Sequence, residues 1–263
     1  MGIRLISTDF DGTLFSEFAP VPVPHAVQTL LGGLQRRGVF WVINTGRDLG
    51  SLLETMARAE VRVHPDALVL VEREIYVRQE DRFVPLDAWN LACRRDHQEV
   101  FDRIAPRLPE LFQRLREEHA GTFYEDAFSP LCVIAENLVA ADRVYAELVA
   151  FAAGVPHLTV VRNDVYIRLS HDGYDKGSAL AEIGRRLGIG AEATLAAGDH
   201  YNDLPMLRPE RAKWLVAPAN AIPEVKAQVS AAGGYISSQP QGEGTARGIE
   251  AMLERAAAAS GAS

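Results

Sequence analysis

The chain has 263 residues and a formal net charge of −8, from 27 basic and 35 acidic side chains. Hydrophobic residues make up 48% of it and charged residues 24%, which is typical of a globular protein with a sizeable core. The acidic balance argues against a nucleic-acid backbone as the main partner. No segment approaches the ~20 apolar residues that a membrane-spanning helix needs. We therefore expect a cytoplasmic protein that binds neither nucleic acid nor a membrane.

The first 85 residues alternate between short apolar runs and helical periodicity. Residues 3–9 form an apolar run that ends at an Asp-Gly turn signal, which predicts a buried strand. A helix is predicted over 27–34, a second strand over 39–44 and a second helix over 48–58. This order predicts a parallel sheet with helices on its faces. Residues 67–84 show shorter runs with polar breaks, which predicts hairpin strands.

The middle third of the sequence is predicted to form a separate α+β unit. Residues 87–119 are predicted to be helical, 131–135 a strand, 138–152 a helix, and 158–161 with 165–169 a hairpin. The α/β alternation then returns, with helices over 176–187, 222–229 and 244–257 and strands over 194–198 and 214–216. We predict an α/β fold, a doubly wound parallel-sheet (Rossmann-like) core with an inserted α+β cap domain. The predicted core spans 1–85 and 171–263, and the cap spans 86–170.

Two carboxylates follow the first predicted strand, in the motif Asp9-Phe10-Asp11-Gly12-Thr13. Reactive groups in open α/β sheets lie at the carboxyl ends of strands, where this motif falls. Asp9 can attack phosphorus as a nucleophile, and Asp11 can protonate the leaving oxygen and later activate water. Taken alone, the motif also fits a polar turn after a strand.

Phosphate-binding candidates follow the second predicted strand and open a later helix. The hydroxyl of Thr45 and the backbone N–H groups around Gly46 suit a phosphoryl oxygen, and Arg47 adds a cation. Lys176 is one of only three lysines in the chain. A cation at a helix start is electrostatically unfavourable, which supports a functional reason for Lys176.

A further acidic pair follows the strand predicted over 194–198, in the run Gly198-Asp199-His200-Tyr201-Asn202-Asp203. Paired carboxylates at a strand end suit Mg²⁺, which prefers oxygen ligands. We therefore predict Asp199 and Asp203 as metal-site residues and Asn202 as a group that holds a ligand or a phosphate oxygen.

These four motifs, in this order, resemble those of the haloacid dehalogenase-like (HAD) superfamily of phosphohydrolases. The insert between the second and third motifs resembles the α/β cap of the Cof-type branch, which includes sugar-phosphate phosphatases. The resemblance implies that Asp9 is both nucleophile and metal ligand, and that Asp11 is the general acid/base and gives its backbone carbonyl to the metal.

For the other motifs, the resemblance implies that Thr45 binds phosphate and Lys176 stabilises charge. It also implies that Asp199 binds Mg²⁺ with Asp203 in support. The chain departs from the pattern at residues 71–74, where Val-Glu-Arg-Glu replaces the Asn-Gly-Ala turn of many relatives. His200 is a second departure, at a position often filled by a small residue.

The sequence thus predicts a Mg²⁺-dependent phosphatase that hydrolyses small phosphate monoesters, sugar phosphates above all, through an aspartyl-phosphate intermediate. Its partner would be a small phosphorylated metabolite, and the chain would be a monomer or a homodimer. A phosphomutase using the same chemistry is the nearest alternative, and a dehalogenase would have no use for the acid Asp11. A phospho-receiver or non-catalytic binding protein is the alternative from another class. Six histidines are interpreted as surface or satisfied side chains: His25, His64, His97, His119, His157 and His171.

Overall fold

The computed structural model describes residues 2–261, and the chain divides into two compact units. The core unit comprises Met1–Leu86 and Lys176–Ser263, and the inserted unit comprises Asp87–Asp175. The sequence-based boundary at 170/171 therefore differs from the structural one by five residues. Residues 171–175 stay with the inserted unit, where the Tyr174 ring packs edge-on against Trp89 at a centroid distance of 5.2 Å. That the inserted unit acts as a cap stays a prediction.

The first part of the core unit follows the predicted alternation of strands and helices. Its elements are β1 (Leu5–Thr8), α1 (His25–Arg36), β2 (Phe40–Asn44), α2 (Leu49–Arg58), β3 (Ala67–Leu70), β4 (Glu74–Gln79) and β5 (Arg82–Pro85).

The inserted unit is a layer of helices on an antiparallel sheet. Its elements are α3 (Asp87–Ile104), a 3₁₀ turn (Ala105–Arg107), α4 (Leu108–Glu118), β6 (Gly121–Tyr124), β7 (Cys132–Ala135), α5 (Leu138–Ala152), β8 (Leu158–Asn163) and β9 (Tyr166–His171). The strand order is β6-β7-β9-β8. Burial alternates along β8, because one face of the sheet packs on the helices. The sequence predicted no strand at β6, which has four residues, only one of them buried.

The second part of the core unit restores the α/β alternation. Its elements are α6 (Lys176–Leu187), β10 (Thr194–Ala197), β11 (Trp214–Ala217), α7 (Pro223–Ala231), β12 (Tyr235–Ile236) and α8 (Gln241–Gly261), with 3₁₀ turns at Ala191–Ala193 and Tyr201–Asp203. None of the helices within residues 2–261 is both long and apolar enough to cross a membrane.

The core unit is built on one sheet of order β12-β11-β10-β1-β2-β3-β4-β5. The pairs from β12 to β3 are parallel, which confirms the predicted α/β core. The strands β4 and β5 extend it as an antiparallel hairpin. All four residues of β1 are buried, and this strand lies between β10 and β2. The residues that follow β1, β2 and β10 therefore emerge side by side at one edge of the sheet.

Candidate active site

The predicted nucleophile lies beside the start of α6. The Nζ atom of Lys176 donates to Oδ1 of Asp9 at 2.6 Å and to Oδ1 of Asp203 at 2.7 Å. Lys176 and Asp203 are fully buried, and Asp9 is 4% exposed. The side-chain amide of Asn44, the last residue of β2, donates to the backbone carbonyl of Lys176 at 2.9 Å. The ends of β1 and β2 are thus tied to the first turn of α6.

Asp199 is held at the end of β10 by groups from distant segments. Its Oδ1 accepts from the hydroxyl of Thr13 at 2.8 Å, and its Oδ2 accepts from the amide of Asn220 at 3.1 Å. Gly12 has a φ of +76°, and a Cβ atom there would clash with the Asp199 carboxylate. Only glycine combines this backbone conformation with so close an approach. The sequence assigned no role to Thr13 or Asn220, whose contacts span 186 and 21 residues.

Asp203 has a supporting position. While its Oδ1 accepts from Lys176, its Oδ2 accepts from the backbone N–H groups of Asp199 and His200 at 2.8 and 2.9 Å. This carboxylate therefore fixes the loop after β10 and the lysine at the same time.

The cluster of Asp9, Asp199 and Asp203 carries more negative than positive charge. One carboxylate oxygen from each lies within 4.8 Å of the others. Burial, together with the neighbouring carboxylates, raises the pKa of Asp9 well above its usual value and that of Asp199 to about 7. Burial opposes the charge of Lys176, but Asp203 and Asp9 outweigh it and raise the lysine pKa. Hard oxygen ligands with a shortage of positive charge fit a divalent cation such as Mg²⁺.

The predicted acid/base, Asp11, forms a two-point ion pair with Arg47. The guanidinium Nε lies 2.8 Å from Oδ2 of Asp11, and Nη2 lies 2.7 Å from Oδ1. The hydrogen bonds to Asp11 raise the pKa of Arg47. Hydroxyls of Ser51 and Thr55 on α2 accept from Nη1 at 3.1 and 2.8 Å. Arg47, predicted to bind substrate, thus contacts the acid/base candidate in this structure.

The predicted phosphate loop is buried against Glu72. Thr45 is 1% exposed, and its carbonyl accepts from the backbone N–H of Glu72 at 2.9 Å. A Cβ atom on Gly46 would lie 3.2 Å from Oε1 of Glu72. The same oxygen accepts from the amide of Asn202 at 2.9 Å. Glu72 therefore joins the loop after β2 to the loop after β10, a role that the sequence did not predict.

The turn that carries Glu72 has an uncommon backbone conformation. Val71 has a φ of +45° and Glu72 a φ of +68°. Left-handed conformations disfavour β-branched residues such as Val71 and favour Asn and Gly. At this point the sequence has Val-Glu-Arg-Glu in place of the Asn-Gly-Ala turn of many relatives. That replacement was the sequence signal from which a role for Glu72 could have been predicted.

A model of the haloacid dehalogenase-like hydrolase family matches residues 131–243. The phosphoglycolate phosphatase of Methanothermobacter thermautotrophicus is 34% identical over 87 residues, which cover 33% of this chain and 37% of that protein. The stress response protein YhaX of Bacillus subtilis is 38% identical over 72 residues, covering 27% of this chain and 24% of that protein. The chain therefore spans well under half the length of these two curated relatives.

Solved structures share the fold over nearly the whole chain. The sucrose-phosphatase of a Synechocystis species, solved with sucrose and phosphate, has a TM-score of 0.69 and 19% identity, covering 96% of this chain and 98% of that one. A haloacid dehalogenase-like hydrolase from Bacteroides thetaiotaomicron has a TM-score of 0.65 and 19% identity, covering 95% and 99%. Residues 131–243 thus match the haloacid dehalogenase-like hydrolase family, and the chain as a whole shares the fold of these solved structures.

Proposed function

We propose that this protein is a Mg²⁺-dependent phosphatase that hydrolyses small phosphate monoesters, with sugar phosphates as the leading substrate class. The observation that carries the proposal is the position of Asp9. Its buried carboxylate accepts a hydrogen bond from the buried Lys176 and lies next to Asp199. A lysine in this position balances the charge of a carboxylate that must approach an anionic phosphoryl group. The similarity to a phosphoglycolate phosphatase and to a sucrose-phosphatase supports the same reaction class.

In the first step, a carboxylate oxygen of Asp9 attacks phosphorus and the bond to the leaving oxygen breaks. The product is an aspartyl-phosphate on Asp9 and an alcohol, which takes its proton from Asp11. In the second step, water gives a proton to Asp11 and attacks the same phosphorus. The Asp9–phosphorus bond breaks, inorganic phosphate leaves, and both aspartates return to their starting state.

The chain's own donors stabilise the transferring group. Lys176 keeps its charge because its pKa is raised, so it can balance Asp9 throughout the cycle. The hydroxyl of Thr45 and the backbone N–H groups of its loop would bind the phosphoryl oxygens that Lys176 does not reach. Asp9 and Asp199, with the backbone carbonyl of Asp11, would hold Mg²⁺, which when bound would offset negative charge and polarise a phosphoryl oxygen.

The pair between Arg47 and Asp11 sets a condition on proton transfer. A carboxylate accepts two hydrogen bonds from a guanidinium, whereas a protonated carboxyl has one oxygen occupied by its own hydrogen. Asp11 must therefore loosen one bond to Arg47 before it can act as the acid. The guanidinium N–H released in this way becomes available to the substrate phosphate.

The test is phosphate release from a panel that includes sugar phosphates, sucrose phosphate and phosphoglycolate, with Mg²⁺ or with EDTA. The wild type is compared with Asp9→Asn and with Asp81→Asn, the same chemical change at an exposed turn of the core unit. We expect Mg²⁺-dependent release that Asp9→Asn reduces by a factor on the order of 10⁴ or more and Asp81→Asn leaves unchanged. Equal release by the wild type and Asp9→Asn would contradict the proposal.

The alternatives give different results in the same assay. A phosphomutase would release little phosphate and would move phosphate between positions of one sugar. A receiver or binding protein would show neither reaction with any ester. The preferred ester in the panel identifies the substrate class.

A further inference from the structure

Two histidines and an aspartate meet at one end of the β8–β9 hairpin in the inserted unit. Leu158 pairs with His171 in the antiparallel register, so His157 and Asp172 face each other just beyond the last pair. The backbone N–H of Asp172 donates to the carbonyl of His157 at 3.0 Å. The three side chains are therefore fixed by one short stretch of paired backbone.

The ligand atoms of this cluster have the spacing of a metal site. Oδ1 of Asp172 accepts a hydrogen bond from Nδ1 of His157 at 3.2 Å, which a metal ion would replace, and lies 3.4 Å from Nδ1 of His171. One ligand atom from each of the three lies within 4.8 Å of the others. Zinc bonds of about 2.0–2.1 Å in tetrahedral geometry place neighbouring ligand atoms about 3.3–3.4 Å apart. Both nitrogen–oxygen distances are close to this value.

His171 is in the protonation state that a metal requires. The backbone N–H of Gly173 donates to its Nδ1 at 2.9 Å, so this nitrogen carries a lone pair and no proton. A metal at Nδ1 would replace the Gly173 contact, and this N–H lies in an exposed turn where water can satisfy it.

The two imidazole rings are stacked, with centroids 5.2 Å apart and planes inclined by only 2°. The exposed His157 ring must therefore rotate for both Nδ1 lone pairs to point at one ion. His157 also has a φ of +66°, a left-handed conformation that costs free energy in residues other than glycine. His157 contacts both His171 and Asp172 from this conformation. Strain that persists at such a cluster is commonly associated with function.

A second cluster in the inserted unit serves as a contrast. Glu118, His119 and Glu147 also lie close together. However, the two oxygens of Glu147 already accept from Arg114 at 2.6 Å and from His119 at 2.8 Å. Arg114 therefore already supplies the positive charge that a metal ion would bring to Glu147.

We propose that His157, His171 and Asp172 bind a divalent transition-metal ion of the Zn²⁺ class. Mixed imidazole and carboxylate ligands select such ions over Mg²⁺, which prefers oxygen alone. The three residues leave one tetrahedral position for water or for a ligand from outside the chain. Bound metal would link the start of β8 to the residue after β9 and so close the open end of the hairpin. This site is separate from the carboxylate cluster of the core unit.

The test is a Zn²⁺ titration of the metal-stripped full chain, followed by imidazole ¹H–¹⁵N spectra and by calorimetry. One equivalent of Zn²⁺ should shift the ring signals of His157 and His171 and leave those of His25 and His64 in place. His157→Asn should raise the Zn²⁺ dissociation constant about 10-fold or more. Asparagine tolerates the left-handed backbone, so this variant should fold. His64→Asn, at an exposed position of the core unit, is the matched control.

Zn²⁺ can also bind carboxylates, so the titration is repeated with Asp199→Asn. The shifts of His157 and His171 should persist in that variant. The proposal is overturned if these signals do not move, or if His157→Asn binds Zn²⁺ with the wild-type affinity and stoichiometry. It is also overturned if Asp199→Asn abolishes all Zn²⁺ binding.

Discussion

Two ion pairs link a cation to a catalytic candidate in this protein, and they differ in their surroundings. Lys176 contacts Asp9 and Asp203 where all three side chains are buried. Arg47 contacts Asp11 in a pair whose side chains are 26% and 36% exposed. The first pair joins the start of α6 to the ends of β1 and β10, whereas the second joins two loops at the rim of the site.

The difference in burial implies a difference in mobility. Removing one partner of a buried pair leaves an uncompensated charge in a medium of low polarity, so separating the pair is costly. A partly exposed pair is screened by water and contributes little net free energy, so it can open and reform. The charge balance around Asp9, the proposed nucleophile, is therefore fixed by the fold, and the contact of Arg47 to Asp11, the proposed acid/base, remains adjustable.

Lys176→Met is the strongest test of the buried pair. We expect the free energy of unfolding to fall by roughly 3–5 kcal/mol, because two buried carboxylates lose their cation. Chemical denaturation measures this loss. The double variant Lys176→Met with Asp203→Asn should recover part of the stability but no phosphatase activity. If Lys176→Met and the wild type unfold at the same midpoint concentration of denaturant, the buried pair adds no stability.

Mg²⁺ should add stability through the same carboxylate cluster. A ligand at 100 times its dissociation constant stabilises the folded state by about 2.7 kcal/mol. We expect a higher melting temperature for the wild type in Mg²⁺ than in EDTA, and no such rise for Asp199→Asn. An equal rise in both proteins would place the stabilising Mg²⁺ site elsewhere.

Arg47→Lys tests the adjustable pair. Lysine keeps the charge but cannot make the two-point contact to Asp11 or reach Ser51 and Thr55 in the same geometry. We expect kcat to fall between about 10- and 100-fold through misplacement of the acid, while the unfolding free energy changes by less than about 1 kcal/mol. Arg62→Lys, at an exposed pair, should change neither. A large loss of stability in Arg47→Lys would remove the distinction between the two pairs.

Glu72→Gly should have the smallest effect on stability. Glycine relieves the left-handed backbone, and this gain offsets the lost hydrogen bond from Asn202, so we expect a net change within about 1 kcal/mol. kcat/KM should nevertheless fall, because Asn202 loses its anchor. The matched control is Glu80→Gly, an exposed residue with a φ of +54°. Glu80→Gly should stabilise the fold and leave kcat/KM unchanged. Identical kinetics for both variants would exclude a role for Glu72 in positioning Asn202.

Local patterns in the sequence were sufficient to predict the strands and helices of the parallel part of the core. The helix over 176–187 has the bounds predicted from its periodicity, and β1, β2 and β10 lie where compact apolar runs ended at polar motifs. Such runs carry a strong signal because both faces of the sheet are buried. The strand β6 lacks this signal, since most of its residues are exposed.

Contacts between distant residues had no local signal. The hydrogen bond between Asn202 and Glu72 joins residues 130 positions apart, and the pair of Arg47 with Asp11 joins residues 36 apart. The sequence identified Asp11 and Arg47 as site residues but not as partners. The left-handed conformation of His157 was equally invisible to periodicity, because hydrophobic periodicity reports burial and not φ.

The central position of β1 has a consequence for synthesis of the chain. Its partner on one side, β2, is complete at Asn44, but its partner on the other side, β10, begins only at Thr194. At ribosomal speeds of about 5–20 residues per second, this interval of residues takes roughly 8–30 s. An apolar strand edge stays unpaired during that time, and such edges favour aggregation. Because the inserted unit emerges within this interval, rapid folding of that unit would keep its own apolar surface from adding to the hazard.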